Sequence, residues 1–502
     1  MIAVRVLGTM YNKMMMKRRR RAIRLLLCIS FWGHGIHGTA QETYSTAELL
    51  AAYLAYDLDM HLLTAELEKQ QLAAQITGID TGFDIQLATG TASFQFGDQT
   101  RISFSPSISA TIPAAKNLRL SASTEMEHTQ SKTTFRNTTF TASMDIISDA
   151  DSARTVTLLK TERAVREAER ALRNRALTAE KAFYTELKSL YQIASALASM
   201  ETELYDDTIE LERIRVQGYV PTSPQYRRAQ MDVYSDEHAV ALYQRELETK
   251  TALFLRNCGI DSVASVALDF LPDDIPTVSA VDVLSFDKAQ YAAIESAQWN
   301  HFINERTRQA ERKFSLAING GYTIGNGTTN SDTVDAGLAA AWRGLSVGAG
   351  VSVPVGGAVQ PPAYTLGIGI DVAQFRRAPL VARQNALSDM QETIALEQAE
   401  REYENMVLER QRQLADIIWE HRTNQESYEL YEQLARDTKE WYAAGIVTES
   451  EYRLAEANRK NYQLAVIMNR IDLIIYNDDT SLLFCQDERE GGYDADTYDE
   501  AD

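Results

Sequence analysis

Cysteines, prolines and long apolar runs are all scarce in this chain. Its 502 residues include three cysteines and ten prolines. Three cysteines cannot form the disulfide framework of a small secreted domain, so an apolar core must hold a chain of this length together. After residue 40, no stretch approaches the ~18 consecutive apolar residues that a membrane-spanning helix needs. If the chain enters a membrane, the remaining route is a closed β-barrel.

Basic charge and clustered metal ligands are also lacking. Fifty Lys and Arg residues stand against 70 Asp and Glu, which gives a formal net charge of −20. A nucleic-acid-binding protein needs a concentrated basic face, so this class is excluded. The histidines after residue 40 are scattered, without an H-x-x-x-H or Cys/His cluster, and we therefore predict no metal, cofactor or catalytic residue. They are His61, His128, His238, His301 and His421.

The first 40 residues have the composition of a secretory signal peptide. A basic run at 17–21 precedes the apolar segment AIRLLLCISFW (22–32), and Gly38-Thr39-Ala40 supplies a small-residue cleavage site. Translation could start at residue 1 or at one of the methionines 14–16. The segment holds eight Lys/Arg and no acid, so its removal changes the net charge to −28. Only Cys258 and Cys485 then remain, and the sequence is compatible with one disulfide or with two free thiols.

The rest of the chain contains two copies of one pattern, in which a helix, alternating strands, a long charged helix, a Gly-containing turn and a final helix follow each other. The first repeat (41–270) predicts helix 44–77, strands within 83–147, long helix 150–215 and helix 222–257. The second (271–480) predicts helix 279–312, strands within 313–372, long helix 373–442 and helix 447–477. The acidic tail 481–502 has the composition of a disordered segment.

Apolar residues recur every seventh position in both long helices. The first series is Phe183, Leu190, Leu197, Leu204 and Leu211, and the second is Leu380, Leu387 and Ile394. This spacing predicts coiled-coil seams between helices. A helix of ~65–70 residues is ~100 Å long at 1.5 Å per residue. Helices of this length need neighbours on more than one side, which predicts an oligomer.

The two long helices are interrupted at matching places. The interruptions read VQGYVPTSPQY (216–226) and AAGIVTESEY (443–452), and Gly218 and Gly445 are 227 positions apart. Glycine and proline between two charged helices predict a hairpin tip in each repeat.

With this order of elements and these tips, the mature chain resembles TolC-type outer-membrane factors over roughly 44–480. The fold class that the resemblance implies mixes an all-α coiled coil with β-structure: two structural repeats form a long α-helical barrel with a shared trimeric transmembrane β-barrel of twelve strands. It implies a homotrimer in the outer membrane with a periplasmic helical domain. Such a protein is the passive, porin-like exit duct of a tripartite efflux pump or a type I secretion system. Its partners are outer-membrane lipid, an inner-membrane pump and a periplasmic adaptor (membrane fusion protein) that opens the tip.

The resemblance also implies roles for residues at the tips. The residues that it assigns to contact with the adaptor are Val216, Gly218, Tyr219, Val220, Ala444, Gly445, Ile446 and Val447. The residues that it assigns to the periplasmic aperture are Tyr442, Glu449 and Glu451. Two positions depart from the family: Leu454 replaces an acidic aperture residue, and Val447 replaces a basic latch residue. The strand blocks depart too, because each contains three or four strand-like runs where the family has two strands.

Two other interpretations remain open on the sequence. A soluble periplasmic coiled-coil scaffold or adaptor would also have long helices, with the strand blocks as small β-domains. The stretch GLSVG (344–348) fits the hydrolase pattern G-x-S-x-G, but alternating apolar residues continue through it, which favours a plain strand.

Overall fold

The computed structural model describes residues 44–90, 92–95, 101–129, 132–148, 150–260, 271–310, 314–325, 332–342, 344–356 and 361–485. The chain divides into two compact units. The first takes the described parts of 1–60, 175–281 and 412–480, and the second those of 61–174, 282–411 and 481–502. The predicted signal peptide and the tail beyond residue 485 lie outside the described residues.

Two very long helices follow the strand blocks. They are α3 (Ala150–Val216, 67 residues) and α6 (Val372–Ala443, 72 residues), and each leads through a turn into a 34-residue helix. The order helix, strands, long helix, turn and helix therefore occurs twice along the chain. The other helices of the described residues are α1 (Thr46–Tyr56), α2 (Leu58–Asp80), α4 (Pro224–Asn257), α5 (Ala292–Ala310) and α7 (Glu449–Leu482).

The first predicted helix, 44–77, is divided in two at Asp57. The backbone of Asp57 is extended (φ −72°, ψ 109°), and its carboxylate accepts hydrogen bonds from the Asp59 amide and from Arg175 Nε at 2.7 Å. An aspartate that accepts from the backbone two residues ahead ends α1 and starts α2, as Asx turns do. At the start of α1, Ser45 and Glu48 form a reciprocal capping box.

The prediction of a helix over 279–312 is wrong for its first third. Residues 283–285 and 288–290 form single 3₁₀ turns, and the α-helix begins only at Ala292. Asp282 accepts a hydrogen bond from the amide of Leu284, and Asp287 from that of Ala289. These local bonds compete with helical ones and hold the backbone in turns.

The final helix extends further than predicted, to Leu482, so residues 481–485 do not belong to a disordered tail. The amide of Cys485 donates to the Gln290 carbonyl at 2.7 Å, and the Phe484 ring stacks on Phe286 with centroids 4.3 Å apart. An aromatic contact and a backbone bond hold this end in place. Cys258 and Cys485 are not joined in a disulfide.

All strands of the described residues form one antiparallel sheet with the order β1-β4-β5-β6-β7-β8-β9-β10, and β2 and β3 join it beside β5. The first block gives β1 (Asp84–Ala88), β2 (Ser93–Gln95), β3 (Arg101–Phe104), β4 (Ser107–Ile112), β5 (Leu118–Thr129) and β6 (Lys132–Ile147). The second gives β7 (Phe314–Gly325), β8 (Asp332–Trp342), β9 (Leu345–Val355) and β10 (Ala363–Ile370). The repeats meet where β6 pairs with β7.

The core of the first unit surrounds the sevenfold series of α3. Phe183, Leu190 and Leu197 are at most 1% exposed, and the Phe183 ring contacts the Phe254 ring of α4 at 5.3 Å. Leu49 of α1 and residues of α7 complete this cluster. The seam predicted for α3 is therefore a core inside one chain.

The corresponding series on α6 is exposed. Leu380, Leu387 and Ile394 are 69%, 56% and 50% exposed. Their spacing is that of a seam, but no element within the described part of the chain covers them. The sequence alone could not separate a seam within one chain from a seam between chains.

In the second unit, a buried ionic cluster joins α3 to α5. Glu295 accepts hydrogen bonds from Arg163 and, at 3.0 Å, from Arg170, while the Arg163 guanidinium lies 5.2 Å from the centre of the Trp299 ring. All three charged side chains are at most 12% exposed.

Among the helices of the described residues, none is both long enough and apolar enough to cross a membrane.

Candidate functional site: the hairpin tips and the two-faced sheet

Both predicted tips are tight helix-to-helix turns closed by a glycine. Gly218 (φ +85°) and Gly445 (φ +72°) have left-handed backbones, which favour glycine. The Tyr219 amide donates to the Ile214 carbonyl at 3.4 Å, and the Ile446 amide donates to the Trp441 carbonyl at 2.8 Å. These bonds span six residues, the pattern of a Schellman motif. The two repeats therefore end their long helices in the same way.

The helices that leave the tips begin with different caps. Ser223 accepts a bond from the Tyr226 amide, and Pro224 occupies the first turn of α4. At the second tip Thr448 and Glu451 cap each other: the Glu451 amide donates to Thr448 Oγ1, and Glu451 Oε2 accepts from the Thr448 amide at 2.8 Å. The bonds from the Thr448 amide and hydroxyl lower the pKa of Glu451. Glu451 therefore has a structural role at the start of α7.

The tips present apolar side chains to solvent. Val216, Val220 and Ile446 are 79%, 59% and 71% exposed, and Tyr219 is 43% exposed. Ala444 and both glycines are exposed, whereas Val447 is half-buried. Exposed apolar groups at a helix turn contribute nothing to the core of this chain, so they are available to a partner.

The second tip is attached to α3 of the first repeat. The Ser450 hydroxyl donates to the carboxylate of Asp206. The Arg453 guanidinium lies 4.1 Å from the centre of the Tyr205 ring and bridges to Glu449 at 2.8 Å. Hydrogen bonding and a cation–π contact thus join the two hairpins near their tips.

The aromatic rings at the second tip pair with each other. Tyr442, 42% exposed, stacks on Tyr452 with ring centroids 5.6 Å apart and planes 6° from parallel. The stack connects the last turn of α6 to the first turns of α7. The resemblance implies a role for Tyr442 at the aperture, and in the structure its ring stabilises this hairpin.

The acidic residues near the first tip were not among the predicted site residues. Burial raises the pKa of Asp207, and the nearby carboxylates of Asp236 and Asp232 raise it further. Burial likewise raises the pKa of Asp236, with Glu203 as a second cause. Asp207 and Glu203 are on α3, about three to four helical turns before Gly218, and Asp232 and Asp236 are about two to three turns into α4, at 3.6 residues per turn. Both hairpins thus carry acidic residues, but those of the first hairpin lie several turns away from its tip. Only the pairing of α3 with α4, which the sequence does not give, brings these acids together.

The sheet has two chemically different faces. One cross-strand row on the first face consists of Phe140, Tyr322, Val334 and Val353, which are directly opposite each other on β6, β7, β8 and β9. They are 38–46% exposed. The neighbouring rows are also apolar and include Leu338, Trp342, Leu366, Ile368 and Ile370, all exposed.

The opposite face carries small and polar side chains. Its rows contain Thr141, Gly321, Asp335 and Ser352, and the hydroxyls of Thr139 and Thr323 are 3.2 Å apart. Strands with one apolar and one polar face are normally half-buried, with the apolar side against a core. Here the apolar side chains are exposed, so the apolar face is a candidate for contact with something other than water.

Ser346 of the GLSVG stretch is inside β9, which pairs continuously with β8 on one side and β10 on the other. The Ser346 hydroxyl bonds to the Gly369 carbonyl across the strands. A nucleophile elbow needs a strand-to-helix turn at the serine, which an unbroken ladder excludes. No group of three or more metal-ligating side chains is found within the described part of the chain.

Two family models match this chain in order. The TP096X N-terminal domain matches residues 49–275, and the TP096X C-terminal domain matches residues 276–487. No curated protein matches the sequence.

Several solved structures are similar to this chain at low identity. The outer-membrane channel OprN is 14% identical, with 86% of this chain and 89% of that chain covered and a TM-score of 0.46. The MtrE outer-membrane channel of Neisseria gonorrhoeae in its open state is 14% identical, with 87% and 88% covered and a TM-score of 0.45. The CmeC outer-membrane channel of Campylobacter jejuni is 12% identical, with 93% and 94% covered and a TM-score of 0.42.

Proposed function

The chain belongs to the TP096X family, and we propose that it is a trimeric outer-membrane channel that acts as the exit duct of a tripartite efflux pump or type I secretion system. It performs no chemistry of its own. The sheet crosses the outer membrane as part of a shared barrel, and the helices cross the periplasm. The observation that carries the proposal is the exposed apolar face of the sheet.

A lipid-facing role explains why apolar side chains are exposed on strand after strand. In β9 (Leu345–Val355), Val347, Ala349, Val351 and Val353 alternate with glycine, serine and proline on the other face. Transmembrane barrels have this alternation, with apolar side chains towards lipid and polar ones towards a water-filled interior. In water, a face of this kind would be an aggregation hazard.

Assembly from several copies explains two further features. The outer strands β1 and β10 have one edge each without a neighbour in the described sheet, and open edges do not occur in the hydrocarbon region of a membrane. The exposed series Leu380, Leu387 and Ile394 on α6 has the sevenfold spacing of a helix seam. We propose that a second and a third copy cover both.

The tips are the proposed contact with a periplasmic adaptor. Exposed Val216, Tyr219, Val220 and Ile446 would supply apolar anchors, and the glycines would let a partner approach the backbone. Aperture residues Tyr442, Glu449 and Glu451 would narrow the inner end of the duct. In this proposal the Ser450–Asp206 bond keeps the second hairpin attached to the first, and the adaptor opens the tip with energy from an inner-membrane pump.

Purification distinguishes the channel from a soluble periplasmic scaffold. A channel is expected in the outer-membrane fraction, requires detergent, and runs as a trimer that dissociates on heating. A protein that stays in solution without detergent, as a monodisperse particle by light scattering, would support the scaffold instead.

Adaptor docking is tested by site-specific photocrosslinking in cells. A photoreactive residue at Val220 or Ile446 is expected to capture a membrane-anchored periplasmic adaptor, identified by mass spectrometry. The matched control is Leu242 on α4, which is 63% exposed but lies away from the tips. Capture of the same adaptor from Leu242 and from the tips would contradict docking at the tips.

A further inference from the structure

The short strands β3 and β4 together form one long strand. Both pair with β5 in a single uninterrupted register that runs from Arg101 opposite Thr129 to Ile112 opposite Leu118. The gap between them contains Pro106, whose carbonyl accepts a bond from the Thr124 amide and so continues the same register. Proline has no amide hydrogen, which is why the ladder is broken there. Residues 101–112 therefore span the full length of β5.

Strands β1 and β2 likewise act as one strand with a bend. β1 pairs with β4 and β2 pairs with β3, and the register shifts by one residue between them. Gly90 lies in this interval with φ +66°, and a Cβ there would be 2.1 Å from the Ser105 carbonyl oxygen. One extra residue at a left-handed glycine is the arrangement of a β-bulge, which bends a strand without ending it. The first repeat thus supplies four long strands, as the second does with β7 to β10.

Eight long strands per copy is twice the number expected from the resemblance to TolC-type proteins. β5 to β9 are 11–16 residues long and β10 has eight, and about 9–11 residues suffice to cross a bilayer at the usual tilt. The additional strands alternate apolar and polar residues like the others. They therefore have the length and pattern of membrane strands.

The two edges of this sheet are suited to each other. Every residue of β10 is exposed, and the strand contains neither a charge nor a proline, the devices that normally protect an edge. β1 is also fully exposed, with Asp84 as its only charge. Since successive strands alternate in direction and the number is even, β1 and β10 are antiparallel. An antiparallel pair can therefore form between β10 of one copy and β1 of the next.

Closure of the eight strands within a single copy fits the side chains poorly. The interior of an eight-stranded barrel is just wide enough to be filled by side chains. On the polar face these are small, such as Gly337, Gly350 and Gly367, and would leave the interior unfilled. A wider barrel, with water against the same face, does not need large residues there.

We propose that β10 of one copy pairs with β1 of the next, and that each copy contributes eight strands to the shared barrel. The inference rests on the proposed channel function and on its three copies, which would then supply 24 strands. Barrel diameter grows roughly linearly with strand number, so the lumen is about twice as wide as that of a twelve-stranded barrel.

Disulfide crosslinking between the edges tests the proposal. Gln86→Cys is combined in turn with Ala363→Cys, Thr365→Cys or Gly367→Cys, because these positions share the polar face. The purified trimer is oxidised and run on a denaturing gel without reductant. At least one combination is expected to give covalent dimers and trimers that disappear on reduction.

Two controls use the same sheet. The combination Thr139→Cys with Thr323→Cys joins neighbours within one copy and should leave the protein at monomer size. Gln86→Cys with Leu366→Cys places the thiols on opposite faces and should not react.

A monomer-size product with an internal edge-to-edge disulfide would overturn the proposal, because the eight strands would then close on themselves. Absence of any edge crosslink, while Thr139→Cys and Thr323→Cys react, would overturn it as well. In either case channel activity in a bilayer would leave the proposed function standing. A protein that needs no detergent and conducts no ions would instead remove the function itself.

Discussion

Replacing one apolar side chain of the sheet by arginine tests whether the apolar face contacts lipid or water. Leu338 lies in the middle of β8, is 44% exposed, and is flanked on the apolar face by Ile318 and Ala349. If this face contacts the hydrocarbon core, Leu338→Arg should lower the free energy of unfolding by about 2–4 kcal/mol, the cost of an arginine at the midplane of a membrane barrel. Since 1.4 kcal/mol corresponds to a factor of ten, the folded-to-unfolded ratio should fall roughly 30-fold to 1,000-fold.

Ser352→Arg is the matched control for Leu338→Arg. Ser352 is on the neighbouring strand β9, on the polar face, directly opposite Asp335, which can pair with the new charge. The expected change is within about 0.5 kcal/mol. Both variants are titrated with denaturant in lipid vesicles, with tryptophan fluorescence as the readout. Equal stabilities of Leu338→Arg and the parent protein, in a preparation that folds reversibly, would refute a lipid-facing surface.

Three further outcomes are expected. Although burial acts to raise it, the hydrogen bonds of two buried arginines lower the pKa of Glu295; Glu295→Ala should cost about 3–5 kcal/mol in denaturant titrations. The stability from that carboxylate should be present above its ordinary pKa and should disappear as the pH falls through the lowered value. Burial, followed by the charge of Glu180, raises the pKa of Asp478 to about 7. The melting temperature of the parent protein should therefore fall as the pH rises from about 4 to 7, whereas that of Asp478→Asn should not. Equal pH dependence of the two melting temperatures would contradict this. Asp206→Ala removes the acceptor of the Ser450 hydroxyl and should increase the open time of single channels severalfold, while Glu210→Ala, which affects a pair within α3, should leave it unchanged.

The parts of the fold that depend on local chemistry could be predicted from the sequence. Gly218 and Gly445 end the long helices because only a left-handed residue completes the turn, and the Thr448/Glu451 pair is a visible capping signal. The alternation of β9 likewise gives a strand through Ser346 without knowledge of its neighbours.

Features that depend on contacts between distant residues could not be predicted. The break at Asp57 involves Arg175, which is 118 positions away in the chain. The two 3₁₀ turns before α5 could not be predicted for a local reason: Asp282 and Asp287 accept bonds from amides two residues ahead, and the sequence does not show that these bonds replace helical ones. The attachment of the second tip depends on Asp206 and Ser450, which are 244 positions apart.

The number of strands could be predicted from the sequence only in part. The sequence of the first block shows alternating runs that pass through Gly90 and Pro106, and it leaves open whether such a run is one bent strand or two. Only the pairing register joins these pieces into long strands. The exposure of Leu380, Leu387 and Ile394 on α6 could not be predicted either. Sevenfold spacing predicts a helix seam, but it is the same whether the partner helix belongs to the same chain or to a second copy.

The most direct test of the channel proposal is single-channel recording of the purified protein in planar lipid bilayers. Reconstituted trimers are expected to produce discrete, stepwise ionic currents, with longer openings when Asp206 is replaced by alanine. If protein shown to be inserted and folded gives no current steps over repeated reconstitutions, for the parent and for Asp206→Ala alike, the chain is not an outer-membrane duct.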